Sequence, residues 1–203
     1  MSGSIAPTST DRLRAVTGPV DRHTPRSVAR AYRGSPVPAD PPSEPASPLL
    51  HLVAAPFESV EDVTERLTEL ETRLEAAGDR RAVFLSIYVR MTRAVHEGLE
   101  TGAFADPTWM ASYLVTFADY YRRAFHAFER GTTEAVPEPW RLAFGTAARD
   151  ESLYLQDALL GVNAHINYDL ALALADIGID PDRSVKLADH RSINRILADL
   201  VDV

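Results

Sequence analysis

From Ser59 onward the apolar residues recur every three or four positions, the period that gathers them on one face of an α-helix. Val60, Val63, Leu67, Leu70 and Leu74 form the first such stripe, with Ser59 as N-cap, Asp62 in the reciprocal capping position and Gly78 as the stop. A second helix is predicted from about Asp79 to Thr101, with Phe84, Ile87, Tyr88, Met91 and Val95 on one face and Gly102 after it. Asp106-Pro107 opens a third, an N-cap followed by Pro in the first turn. It presents Trp109, Tyr113, Phe117, Tyr120, Tyr121, Ala124 and Phe128 before Gly131. A fourth helix starts near Pro137–Trp140 and puts Phe144 and Leu155 on its inner face. A last one follows Asp180-Pro181 and uses Ile193, Ile196, Leu197 and Leu200. No alternating strand pattern of useful length and no internal repeat interrupts this series.

Between Leu153 and Ala175 the stripe dissolves. Leu155, Leu159, Leu160, Val162, Ile166, Leu170, Leu172 and Leu174 point all around a helix, and a helix apolar on every side is a buried one. The expected fold is therefore all-α: a single orthogonal or up-down bundle of five to seven helices, with residues 153–177 as its buried central member. That helix also carries Asn163, His165, Asn167 and Asp169. At 100° per residue His165 and Asp169 share one face, and Asn163 and Asn167 share the opposite one. A buried polar group without a partner costs about 1–3 kcal/mol, so the neighbouring helices must supply partners. Asp189, on the apolar stripe of the last helix, is the leading candidate, with Asn194 beside that stripe.

Composition narrows the picture. With 203 residues the chain suits one domain with an appended tail. Residues 1–56 are punctuated by Pro25, Pro36, Pro38, Pro41, Pro42, Pro45, Pro48 and Pro56 and read as an N-terminal arm, partly disordered or extended, with a short helix near Arg26–Tyr32. Leu49–Leu52 could lie over the core, and residues 57–203 form the helical bundle domain. A formal charge of -8 argues against nucleic acid and against an anionic membrane surface as partner. No apolar run reaches membrane-span length. The chain has no Cys, which removes thiolate ligands and nucleophiles and fits a cytoplasmic setting.

The chemistry of the central stretch leaves three readings. His165 and Asp169 can be a structural network that fixes helix register. They can be a proton-transfer site, with His165 as general base or acid oriented by Asp169 or Asp189, as isomerisation, cyclisation or hydrolysis of a small-molecule ligand would require. In that reading Asn163, Asn167, Asn194, Tyr121 and Trp109 hold the substrate. Third, a His and an Asp four apart can place two ligands on one divalent metal, as His-x-x-x-His pairs do in zinc enzymes. That helical setting resembles the zinc phospholipase C fold, whose sites use several more His and Asp ligands. The other histidines here are scattered: His23, His51, His96, His126 and His190. The cofactor expectation is accordingly none or a divalent metal. Asp119, Arg122, Arg123 and His126 read as a solvated charge network on an outward face.

A wider set of residues carries a family resemblance. Leu159-Leu-Gly-Val-Asn-Ala-His165-Ile-Asn-Tyr-Asp169-Leu, the Gly102–Trp109 turn, the Trp140–Phe144 segment and the closing Asp189-His-Arg-Ser-Ile193-Asn194 together resemble the family known as domain of unknown function 5995. The resemblance covers roughly residues 57–202. It implies that His165, Asn167, Asp169, Asp189 and Asn194 belong to one signature, without implying an activity.

Overall fold

The structure is a computed structural model and describes residues 47–150 and 152–201. Leu50–Val53 (α1), Val60–Ala76 (α2), Ala82–Glu100 (α3), Pro107–Glu129 (α4), Glu138–Ala148 (α5), Tyr154–Ala164 (α6), Leu170–Ile177 (α7) and Arg183–Val201 (α8) are α-helical. Thr133–Ala135 makes a 3₁₀ turn, and His165–Asp169 is a single π turn joining α6 to α7. The described residues contain no strand. No helix among them is long and apolar enough to cross a membrane. The all-α bundle expected from the pattern is what the chain forms.

The helix ends follow their capping residues. Ser59 Oγ accepts the Asp62 amide at 3.2 Å, and the Asp62 carboxylate accepts the Glu58 amide at 3.0 Å. Asp106 Oδ1 accepts the Trp109 amide at 2.9 Å, with Pro107 in the first turn of α4. Gly78 and Gly102, at φ +67° and +73°, close α2 and α3 in the left-handed conformation that favours glycine.

The most enclosed helix is α4. Its buried residues, among them Met110, Tyr113, Ala118, Tyr121, Phe125 and Phe128, lie on several sides, and every other α-helix except α6 packs on it. The α6–π–α7 segment, expected at the centre, is instead buried along one side. Gly161, Ala164, His165, Asp169 and Ala173 face inward, whereas Leu155 and Leu159 are 53% and 57% exposed. Hydrophobicity reports what a residue would gain by burial, not whether a neighbour exists to bury it.

Two further corrections have local causes. Residues 137–155 do not form one helix: the chain turns between α5 and α6, with Asp150 at φ +51°. Arg80, just before α3, holds Asp150 in this turn and Asp157 in the first turn of α6, both at 2.8 Å. Arg122 is not on a solvated face. It is buried, pairs with Asp119, and donates to the Val53 carbonyl at 2.7 Å. Arg66 binds the Leu52 and Pro56 carbonyls at 2.8 and 3.1 Å. Together these guanidiniums hold α1 and its following loop against the bundle, with Leu52, Val53 and Phe57 buried. The rest of the proline-rich arm, including the short helix expected near Arg26–Tyr32, lies outside the described residues.

Candidate functional site

The π turn positions the site. The Leu170 amide bonds to the His165 carbonyl, five residues back rather than four. Such a wide turn inside an α-helix often marks a functional position. Across it, His165 Nδ1 lies 3.2 Å from Asp169 Oδ2. The same oxygen accepts the Trp140 indole N–H from α5 at 2.9 Å. A carboxylate oxygen can only accept, which assigns the ring proton to Nδ1 and the lone pair to Nε2.

The imidazole is enclosed by aromatic rings. It stacks on Phe117 at 3.7 Å and 9° between planes. Tyr88 meets it edge-on at 4.3 Å and Phe84 at 5.7 Å. Only 2% of His165 and 1% of Asp169 is exposed. Burial pushes the His165 pKa below its ordinary value, and Asp169 offsets part of that shift. The ring is therefore neutral at neutral pH. Burial likewise drives Tyr88 well above the usual phenol range. Three buried polar atoms in this part of the core have no hydrogen-bond partner: His165 Nε2, Asp169 Oδ1 and the Tyr121 hydroxyl.

Beside His165 is a cavity of about 140 Å³. Its wall is mostly apolar, from Tyr88, Met91, Val95, Met110, Leu114 and Phe117, with Thr92, Tyr113, His190 and Asn194 adding polar groups. At about 10–15 Å³ per water-sized position it has room for roughly ten such positions.

The residues singled out in the sequence separate into groups. His165 and Asp169 come together as one buried pair. Asp189 does not join them: its two oxygens accept the Ala105 and Asp106 amides at 2.8 and 2.7 Å, so it anchors the start of α4. Asn163 and Asn167 are exposed and bond to each other at 2.8 Å, so they need no partner from another helix. Asn194 lines the cavity on its exposed side. Trp109 donates to the Gly178 carbonyl at 2.9 Å and stacks on Tyr113. Tyr121 is fully buried among Phe84, Tyr88 and Trp140. Sequence reasoning missed Trp140 as the second donor to Asp169, and it missed Phe117, Tyr88 and His190 as neighbours of the cavity. A buried indole N–H needs an acceptor, and that requirement was the one available pointer to Trp140.

As a metal site the pair is a poor fit. His165 Nδ1 and Asp169 Oδ2 are bonded to each other, and the described residues hold no group of three His, Cys, Asp or Glu side chains placed to share an ion. Structural and catalytic zinc sites use at least three protein ligands.

Residues 60–203, which include the π turn, Trp140, Asp189 and the cavity, match the family model described as Family of unknown function (DUF5995). The chain belongs to this family. No match is found among curated proteins or among solved structures. The match spans all of these residues and assigns them no activity.

Proposed function

We propose that this DUF5995 protein binds a small, largely apolar molecule and exchanges a proton with it through His165 Nε2. The observation that carries the reading is the oriented imidazole. Asp169 and Trp140 fix which nitrogen is protonated, and they leave Nε2 without a partner on a residue that lines the cavity.

The electrostatics support proton transfer. Burial keeps the ring neutral and so able to act as a base, while the Asp169 carboxylate stabilises the imidazolium that forms on accepting a proton. The Phe117 stack and the Tyr88 edge restrict ring rotation, so orientation is set before ligand arrives. An apolar wall disfavours water as a reactant, which favours isomerisation or cyclisation over hydrolysis. Asn194 is placed to meet the ligand at the open side, whereas Asn163, Asn167, Tyr121 and Trp109 do not line the cavity.

Phenol and benzene test this reading, because phenol adds a single O–H donor to the same ring. In protein with ¹⁵N-labelled histidine, phenol is expected to shift the His165 Nε2 resonance, and benzene to leave it near its free position. His165→Phe should weaken phenol by about tenfold relative to benzene, the worth of one well-formed hydrogen bond. An Nε2 signal unmoved at high phenol, or no binding of either ring, refutes the proposal.

A further inference from the structure

The cavity wall holds a second imidazole. His190 on α8 lies 6.0 Å from the Tyr113 ring, with its Nδ1 3.3 Å from the Tyr113 hydroxyl. Tyr113 in turn stacks against Phe117 at 6.0 Å and 14°, and Phe117 carries His165 on its face. The two imidazoles are thus set against successive rungs of one aromatic ladder. Rungs four residues apart on α4 are separated by about 6 Å along the helix axis.

The two rings differ in access. His165 is buried, whereas His190 is half-buried, and Asn194, one turn further along α8, is exposed. The cavity wall thus carries His165, whose buried Nε2 has no partner, and, nearer solvent, the His190–Tyr113 pair with Asn194 beside it. The rest of the wall is mainly apolar, from residues such as Met91, Met110 and Leu114, with Tyr88 and Thr92 adding hydroxyls. Burial lowers the His190 pKa, so at neutral pH it is an uncharged donor and acceptor, suited to a hydroxyl rather than a carboxylate.

We infer, building on the His165 reading, that His190 is the specificity-determining residue of this cavity and selects a compact, flat molecule with hydrogen-bonding groups at both ends. Para-substituted phenols bearing a second hydroxyl are the simplest class that fits. The phenolic O–H donates to His165 Nε2, the ring lies among the apolar residues, and the second hydroxyl bonds to His190 and Tyr113. A ligand with one polar end would leave the outer pair facing apolar surface.

Two isosteric probes separate this inference from the reading beneath it: 4-ethylphenol and 4-hydroxybenzyl alcohol, which differ by a methyl in place of a hydroxyl. Dissociation constants come from NMR titration of the full chain. In the wild type the ratio of the two constants sets the reference. In His190→Phe the ratio should move about five- to tenfold against the alcohol, the range expected for one lost hydrogen bond, while 4-ethylphenol binding holds within about twofold. His190→Gln keeps a donor and an acceptor and should stay within about threefold of the wild-type ratio. His165→Phe should weaken both probes alike. If 4-ethylphenol binds and His190→Phe leaves the ratio unchanged, the role of His190 is wrong and that of His165 stands. If neither probe binds the wild type, both are wrong. Should His190→Phe fail to fold, His190→Leu gives the same readout, and an unchanged ratio there overturns the inference equally.

Discussion

Gly161 is where α6 crosses closest to α3, and replacing it with Ala should loosen the platform on which His165 stands. A Cβ built there falls 2.3, 2.5 and 2.6 Å from Phe84 Cγ, Cβ and Cδ2. Carbon atoms in contact sit about 3.5–4.0 Å apart, so the overlap exceeds 1 Å. Phe84 has nowhere to go, because its ring packs against Tyr121, Trp140 and His165 at 5.8, 5.4 and 5.7 Å. Helix propensity pulls the other way: Gly to Ala in a helix gains about 1 kcal/mol. Overpacking of this kind costs about 1–3 kcal/mol, and since one clashing atom is a Cβ that no rotamer can move, the upper end applies. The expected net loss is about 2 kcal/mol, a fall in melting temperature of roughly 4–8 °C for a chain of this size. Thermal unfolding followed by circular dichroism measures it. Removing the ring in Gly161→Ala/Phe84→Ala should not restore stability, because Phe84 Cβ remains. A Gly161→Ala protein as stable as the wild type, or more so, would mean that the crossing is looser than described and that helix propensity alone governs the site.

The remaining predictions concern pH and the start of α4. Burial lowers the pKa of His165, and also those of the less enclosed His126 and His190. Protons therefore bind the unfolded chain more readily. The stability these histidines contribute is complete above the unfolded value near 6.5 and declines as pH falls through it toward their lower native values. Urea unfolding at pH 7.5, 6.5 and 5.5 should show this decline, with His165 adding at most about 1.4 kcal/mol per pH unit, and His165→Gln should flatten it; a variant with an undiminished slope contradicts the assignment. Asp189→Ala strands the Ala105 and Asp106 amides and should cost about 2–3 kcal/mol. Hydrogen exchange at those two amides should accelerate, while phenol binding to the folded protein stays unchanged. Unaltered exchange would show that Asp189 does not anchor the loop.

How much of this was legible depended on the range of each interaction. Local chemistry could be read directly: the Ser59 and Asp106 caps, the closing Gly78 and Gly102, and the His165–Asp169 pair all act within four residues. Interactions between distant residues could be inferred only as requirements. Asp189 sits on an apolar stripe and needs donors, but backbone amides carry no sequence identity: the pattern points to His165, whereas the donors are the amides of the turn before α4. Trp140 reaches Asp169 across 29 positions, and nothing in the pattern pairs them. Arg122 follows the same logic in reverse. Its charged neighbours suggested solvent, yet its donors close off carbonyls at the end of α1.

The geometry of the α6–π–α7 segment ties fold to site. Five of its buried positions, Asp157, Gly161, His165, Asp169 and Ala173, are spaced by four, with Ala164 beside them. In a regular helix each four-residue step overshoots a full turn by about 40°. Over four steps the line would rotate by about 160° and leave the core. The π turn accommodates about one extra residue and so returns roughly 100° of that drift, keeping Asp157 and Ala173 on a common side. The same extra residue widens the turn between His165 and Asp169, where their side chains meet Trp140. A deletion that restored regular α-helical phase would therefore disturb both at once: the burial of the α7 face and the alignment of the imidazole. On this geometry the irregular turn lets one continuous helix pack against the bundle and also hold His165 against Asp169 beside the cavity.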